Sequence, residues 1–137
     1  MSTLKANTFT GTTSAGSIVV TGEGGSTTTN LQQGLTKAWV NYTGISTTAA
    51  RDSFNVGSLT DLATGRTQVT FTNNMNNDDY SGHYYSSAST GTSFNNFSND
   101  YAGGFGGFAT SNCSAVSYSS TDIDSFQNVL GVVGDLA

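Results

Sequence analysis

Histidine and cysteine each occur once in this 137-residue chain, as His83 and Cys113. A nucleophilic triad needs an imidazole beside a hydroxyl or thiol. His83 stands in Gly82-His83-Tyr84-Tyr85, where a lone histidine among tyrosines on a strand reads as a packed or surface residue. Cys113 can form no internal disulfide, and a zinc site needs about four Cys, His or carboxylate ligands. It reads instead as a small buried apolar residue. The paired carboxylates of a glycoside hydrolase would have to come from Glu23, Asp52, Asp61, Asp78, Asp79, Asp100, Asp122, Asp124 and Asp135. Most of these lie in turn-like stretches, where Asp is favoured for backbone reasons. Asn76-Asn77-Asp78-Asp79 offers oxygen ligands for calcium but lacks the glycine and terminal Glu of an EF-hand loop. No catalytic residue, metal site or cofactor is expected, and the chain reads as a non-enzyme.

One segment stands out. From Phe94 to Phe108 the aromatics are spaced by Asn and Gly, ending in Gly103-Gly104-Phe105-Gly106-Gly107-Phe108. This is not a phosphate loop, because the Lys-Ser/Thr ending is missing. Glycine pairs let a backbone fold back sharply, and aromatic rings supply contact area at low entropic cost. On one reading the segment is a binding tip, with Tyr84, Tyr85, Tyr101, Phe105 and Phe108 as the contact residues. On the other, Phe94, Phe97, Phe105 and Phe108 are buried in the domain or between subunits.

The elements that would carry such a tip are strands. Gly, Ser, Thr and Asn make up about half of the chain, Pro is absent, and charged residues are 9%, against roughly 25% in average globular domains. Four Lys plus Arg and a net charge of -5 cannot build a phosphate-tracking basic face, so nucleic acid is not an expected partner. No apolar run approaches the roughly 18 residues of a membrane span, and membrane insertion is not expected. The N-terminus lacks the basic-then-apolar layout of a signal peptide.

Residues 1–33 form a Thr/Gly/Ser-rich arm with little apolar surface to offset its ordering entropy. Leu4, Phe9, Ile18, Val20 and Leu31 are the residues that could anchor it to identical arms or to a partner. From 34 to 137 the pattern changes to period-two alternation: Lys37–Thr43, Arg51–Val56 (with Leu59 as an extension) and Arg66–Thr72, the last two reading as a hairpin about Gly65. Tyr80–Ser89, Asn112–Ser119 and Gln127–Val133 read as later strands, and Thr47–Ser53 could hide a short helix. The expected fold is all-β, an antiparallel β-sandwich (jelly-roll-like) knob behind an extended arm. Trp39, Val40, Phe54, Val56, Val69 and Phe71 are the expected core or oligomer residues, with Phe54 and Val56 both facing inward. A body of about 100 residues with modest apolar content is marginal alone, which points to a homo-oligomer.

The stretch Gly34-Leu35-Thr36-Lys37-Ala38-Trp39-Val40-Asn41-Tyr42-Thr43-Gly44, then Arg51-Asp52-Ser53-Phe54-Asn55-Val56-Gly57-Ser58-Leu59-Thr60-Asp61 and Thr64-Gly65-Arg66-Thr67-Gln68-Val69-Thr70-Phe71, resembles a pattern of structural proteins of tailed bacteriophages, cyanophages included. There "G-L-A-K-A-W-V-N-F-N-G" leads to "R-x-S-F-N-V-S-S-I-T-D-x-G-x-G-x-x-T-V-x-F". The closing Val132-Val133-Gly134-Asp135-Leu136-Ala137 is also similar, and about 80 to 125 are unmatched. Tyr42-Thr43 and Leu62-Ala63 depart from the pattern. The resemblance implies a virion appendage on the tail or capsid exterior, made in the host cytoplasm, typically a homotrimer with an N-terminal attachment segment and a β-rich knob. Its implied partners are copies of itself, other virion proteins of the tail, baseplate or capsid, and a host cell-surface glycan. It implies no shared catalytic residue. The alternatives are a capsid decoration (cement) or head-fibre protein and, more remotely, a polysaccharide-active enzyme.

Overall fold

The computed structural model describes residues 3–13, 18–87, 107–117 and 124–137. The chain divides into two compact units, Met1–Leu35 and Thr36–Ala137.

In the first unit, β1 (Val19–Thr21) and β2 (Thr28–Asn30) pair as an antiparallel hairpin with Val20 opposite Thr29. The connection closes through Gly22 N donating to the Thr27 carbonyl at 2.7 Å, and Gly25 takes a φ of 79° that only glycine adopts freely. Asn30 then caps the single turn α1 (Leu31–Gly34), its Oδ1 accepting from Gln33 N at 3.0 Å. No residue of these elements is buried. Among its described residues the unit therefore has local hydrogen bonds and no buried core.

The second unit is an antiparallel β-sandwich. Its strands are β3 (Thr36–Thr43), β4 (Ala49–Phe54), β5 (Val56–Ala63), β6 (Arg66–Phe71), β7 (Ser81–Ser87), β8 (Phe108–Ala109), β9 (Asn112–Val116) and β10 (Gln127–Val133). They form two four-stranded sheets, in the orders β4-β3-β10-β7 and β5-β6-β9-β8. Period-two alternation decides which side chains meet between them. Ala38, Val40 and Tyr42 of β3, Tyr84 of β7, and Leu130 and Val132 of β10 face Val69 and Phe71 of β6 and Cys113 and Ala115 of β9. Met75 and Tyr80, from the β6–β7 connection, join this core, and Val56, Leu59, Phe108 and Leu136 pack against it.

The run from Arg51 to Leu59 is not one strand. β4 pairs with β3 in one sheet, while β5 pairs with β6 in the other. The break is Asn55, at φ 56°, a left-handed conformation that Asn tolerates better than other non-glycine residues. The corner reverses the side-chain phase, so Val56 packs inward while Phe54 is 52% exposed on the outside. The expectation that Phe54 faces the core fails for this reason. Thr47–Ser53 is not helical either, since Ala49–Phe54 is strand. The Asn55 side chain fixes the corner from both sides: Nδ2 donates to the carbonyls of Lys37 (2.9 Å) and Asn73 (3.1 Å). Its Oδ1 accepts from Asn73 N (2.7 Å) and Asn73 Nδ2 (2.9 Å).

The C-terminus is tied to the same end of the β6–β7 connection. Asn76 N donates to the Asp135 carbonyl (2.8 Å), Ala137 N to the Asn74 carbonyl (3.0 Å), and Met75 bridges Leu136. Gly134 permits this approach, because a Cβ there would lie 2.7 Å from Tyr80 Cβ.

Asn55→Ala removes the side-chain bonds and places a Cβ residue at positive φ, whereas Asn55→Gly removes the bonds alone. Urea unfolding should show Asn55→Ala costing about 2–4 kcal/mol and Asn55→Gly about 1 kcal/mol less. A loss below about 0.5 kcal/mol for Asn55→Ala would remove the corner from its organising role.

Candidate functional site

Inside the sandwich the sequence supplies many hydroxyls, and the structure assembles them into one neutral network. Tyr84 Oη, Ser117 Oγ and Asn128 Oδ1 lie within hydrogen-bonding distance of one another: Tyr84 donates its one proton to the amide oxygen, and the single Ser117 proton is shared between that oxygen and Tyr84 Oη. Asn128 Nδ2 donates to the Ser125 carbonyl at 3.1 Å. Tyr42 extends the chain through side-chain hydrogen bonds to Tyr84 and Thr67. Burial pushes the Tyr42 and Tyr84 phenols above their ordinary value. Nearby, Tyr80 donates to the carbonyls of Ala109 (3.1 Å) and Asn112 (2.9 Å), and burial likewise raises its phenol. The Cys113 thiol, fully enclosed, is pushed up to about 12 by desolvation. The network offers neutral donors and acceptors, and the groups named in it include no carboxylate and no imidazole.

This placement divides the expected binding residues. Tyr84 and Tyr85 are adjacent on β7, so one must face in and the other out. Tyr84 is 4% exposed and belongs to the interior network, which corrects its assignment to the surface; Tyr85 is 60% exposed. Phe108 is half-buried, its ring edge-on to Tyr80 with centroids 4.9 Å apart. It packs against the core and is not a free tip. Tyr101 and Phe105 lie outside the described residues, as do Phe94 and Phe97. Of the arm residues, Leu4 (77%) and Phe9 (60%) are strongly exposed, as is Val20 on β1. Ile18 is half-buried, with its carbonyl accepting from Leu31 N at 2.8 Å. Among the expected core residues, Val40, Val69 and Phe71 are buried, Val56 packs at the margin, and Trp39 is half-buried on the face opposite the core.

That outer face holds residues which sequence reasoning did not group. Register places Phe54, Trp39, Gly131 and His83 in one cross-strand row over β4-β3-β10-β7. The next row is Asp52, Asn41, Val129 and Tyr85. Directly opposed residues of antiparallel strands share a face, so two aromatic-bearing rows lie side by side. A Cβ on Gly131 would meet nothing within 4 Å, leaving a shallow trough between Trp39 and His83. Asn41 Oδ1 is buried on this face with no hydrogen-bond partner among the described residues. At the margin, exposed Phe126 lies under Arg51, whose guanidinium carbon is 4.7 Å from the ring centroid and whose Nη2 donates to the Phe126 carbonyl at 2.7 Å. The signal in the sequence was the pairing of Trp39 with Phe54, which a correct break at Asn55 would have exposed.

The carboxylates hold backbone where their contacts are visible: Asp124 Oδ1 accepts from Gly65 N at 2.7 Å, and Asp52 Oδ1 from Ser53 N at 2.8 Å. Lys37 is buried near Asp135, which partly offsets the lowering of its ammonium by desolvation. Among the described residues no group of three or more His, Cys, Asp or Glu side chains could hold a metal ion, and no helix is long and apolar enough to cross a membrane. No protein-family model, curated protein or solved structure matches the chain.

The buried phenols and the thiol stay protonated in the folded chain, while in the unfolded chain they ionise from about pH 9 to 10 upward. The unfolded state then binds fewer protons, so stability falls as pH rises. Urea midpoints should hold up to about pH 9 and drop steeply between pH 9 and about 12, the folded value of Cys113. Alkylation of Cys113 at pH 8.5 should be slow in the native protein and rapid in urea. Equal rates would contradict its enclosure.

Proposed function

We propose that this chain is a non-enzymatic structural protein of a phage particle. The first unit is its attachment arm, and the sandwich is the part displayed to the outside. One observation carries the reading. The N-terminal unit presents Leu4, Phe9, Val19, Val20 and Leu35 to solvent without burying any residue of its strands or helix. A two-stranded hairpin is at best marginally stable by itself in water. Such a unit makes physical sense when another surface covers its apolar side chains. The sandwich, by contrast, has its own buried core. The sequence resemblance over 34 to 72 supports the same division of labour.

On this reading the arm docks on a tail, baseplate or capsid protein and brings copies together, a trimer being the expected number. The knob's outer sheet face, with Trp39, Phe54, Tyr85 and His83, is suited to a host-surface glycan, since sugar rings stack their C–H faces on aromatic side chains and hydrogen-bond at the rim. Asp52 supplies an exposed carboxylate acceptor beside those rings. Capsid decoration is the second reading, in which the exposed apolar residues of the first unit lie across seams between capsid subunits. Tens of copies per particle indicate a tail fibre and hundreds a decoration protein.

The test keeps the chain whole. Leu4→Ser with Phe9→Ser should leave the melting of the sandwich unchanged, because those residues belong to the other unit. It should cut incorporation into particles at least tenfold in a complementation assay. Normal incorporation of a folded double variant would sink the attachment role.

A further inference from the structure

Among the described residues the two four-stranded sheets have four edges, and an exposed edge strand is a ready template for another strand unless something blunts it. Three edges here are blunted. β4 carries adjacent charges, Arg51 and Asp52, and its pairing with β3 is interrupted by a register shift at Asn41/Tyr42. β5 is bulged twice, between Val56 and Ser58 and between Asp61 and Ala63, and bears Asp61. β8 is two residues long.

β7 has none of these protections. Its seven residues, Ser-Gly-His-Tyr-Tyr-Ser-Ser, contain no Asp, Glu, Lys or Arg. It pairs with β10 in unbroken register from Ser81 opposite Val133 to Ser87 opposite Gln127. Among the described residues no strand lies on its other side. In an antiparallel ladder every second residue of an edge strand turns its N–H and C=O away from its neighbour. The outward side chains of β7 include His83 and Tyr85, both exposed.

We propose that β7 joins two copies of this chain, pairing antiparallel with its counterpart about a two-fold axis at Tyr84 and fusing two sheets into one of eight strands. The occupant is a second copy because the strand is self-complementary. In the register that uses all seven residues, Ser81 meets Ser87 of the other copy, Gly82 meets Ser86, and His83 meets Tyr85 twice, once on each side of the axis. None of the -5 net charge of the chain lies on β7, so no charge faces its like across the new ladder, a juxtaposition that would be destabilising. The His83–Tyr85 pairs extend the outer rows already formed by Trp39, Gly131 and Val129. A contact of one strand per copy falls below the standard interface size of about 1,600 Å², so the association is weak and concentration-dependent. It is independent of the arm, and of whether the particle reading above is right.

The experiment uses the full chain carrying His83→Cys and Tyr85→Cys together. Directly opposed residues in such a ladder have Cα atoms about 4.5–5.5 Å apart, within disulfide range. Under oxidised glutathione the double variant should give a covalent dimer on a non-reducing gel. The parent chain, whose Cys113 is enclosed, should give none. In the otherwise unaltered chain, Tyr85→Lys should weaken concentration-dependent sedimentation at least tenfold while leaving the melting temperature unchanged. Three results overturn the proposal: a folded double variant that stays monomeric or closes its disulfide within one chain; cross-linked ladders beyond dimer, which mean head-to-tail pairing; and a Tyr85→Lys protein that associates like the parent. The Leu4→Ser/Phe9→Ser variant separates the two ideas. It should keep the β7 cross-link even where particle incorporation is lost, and loss of the cross-link there would mean that the arm, not the β7 edge, brings copies together.

Discussion

The sandwich depends on one residue being able to leave one sheet and enter the other without losing its hydrogen bonds. Asn55 does this with a left-handed backbone and a side chain that holds two segments to the corner at once: the start of β3 at Lys37 and the stretch just beyond β6 at Asn73. A glycine could adopt the angle but would leave the carbonyls of Lys37 and Asn73 without these donors. A larger or branched residue could do neither. Because the corner sets the phase of both strands, it decides that Val56 packs inward and Phe54 points out. It thereby creates both the core margin and the aromatic outer face. Thr72 N, donating to the Asn55 carbonyl at 3.2 Å, ties the far end of the β5–β6 hairpin to the same point.

The second physical theme is a core that is small and partly polar. Its largest fully enclosed apolar side chains are Tyr42, Met75, Leu130, Val40, Val69 and Val132, and Asn128 and Ser125 are enclosed among them. Buried polar groups are costly unless hydrogen-bonded; the Thr67–Tyr42–Tyr84–Asn128 chain meets that condition with neutral groups alone, whereas the Ser125 hydroxyl has no hydrogen-bond partner among the described residues. The arrangement explains how a chain with 35% hydrophobic residues sustains two packed sheets. Tyrosines supply ring area to the core and hydroxyls to the network. The cost is sensitivity to alkali, because the groups that hold the interior together are weak acids whose charged forms cannot be accommodated there.

How much of this was legible follows from what alternation can and cannot encode. Lys37–Thr43 and Arg66–Thr72 announce themselves by period two and Gln127–Val133 reads as a later strand; the structure places β3, β6 (ending at Phe71) and β10 there. Alternation fails wherever the phase is reset. Phe54 and Val56 look like one face because nothing in their side chains marks a corner; the mark is Asn55, an αL-tolerant residue inside an otherwise strand-like run. Tyr84 and Tyr85 looked like a joint aromatic surface, although neighbours on a strand must part. Thr47–Ser53 suggested a turn of helix only because its small residues carry no strong preference, and pairing with β3 overrode it. The outer row of Phe54, Trp39, Gly131 and His83 was invisible because it is written across three pairings far apart in sequence. Phe108, counted as part of a tip, is drawn inward by its edge-on contact with Tyr80, itself held by two backbone carbonyls. Tyr101 and Phe105 lie outside the described residues.

Charge is distributed in a way that connects these features. Lys5 and Glu23 cancel within the first unit, so the whole net charge of -5 resides on the sandwich unit. Copies of the sandwich therefore repel one another at long range, while the arm's apolar residues and the β7 edge, where contact is proposed, are nearly free of charge. Repulsion of this kind disfavours random collapse of copies and is screened within about 10 Å at ordinary salt. It leaves association to directional contacts that must form at short range through backbone ladders or buried side chains. In that light Arg51 is better placed over Phe126 than free at the β4 edge, since there its charge guards one edge and shields an exposed ring without offering a counter-ion to a neighbour's carboxylates. The other two guarded edges use no cation: β5 is bulged twice and bears Asp61, and β8 is two residues long.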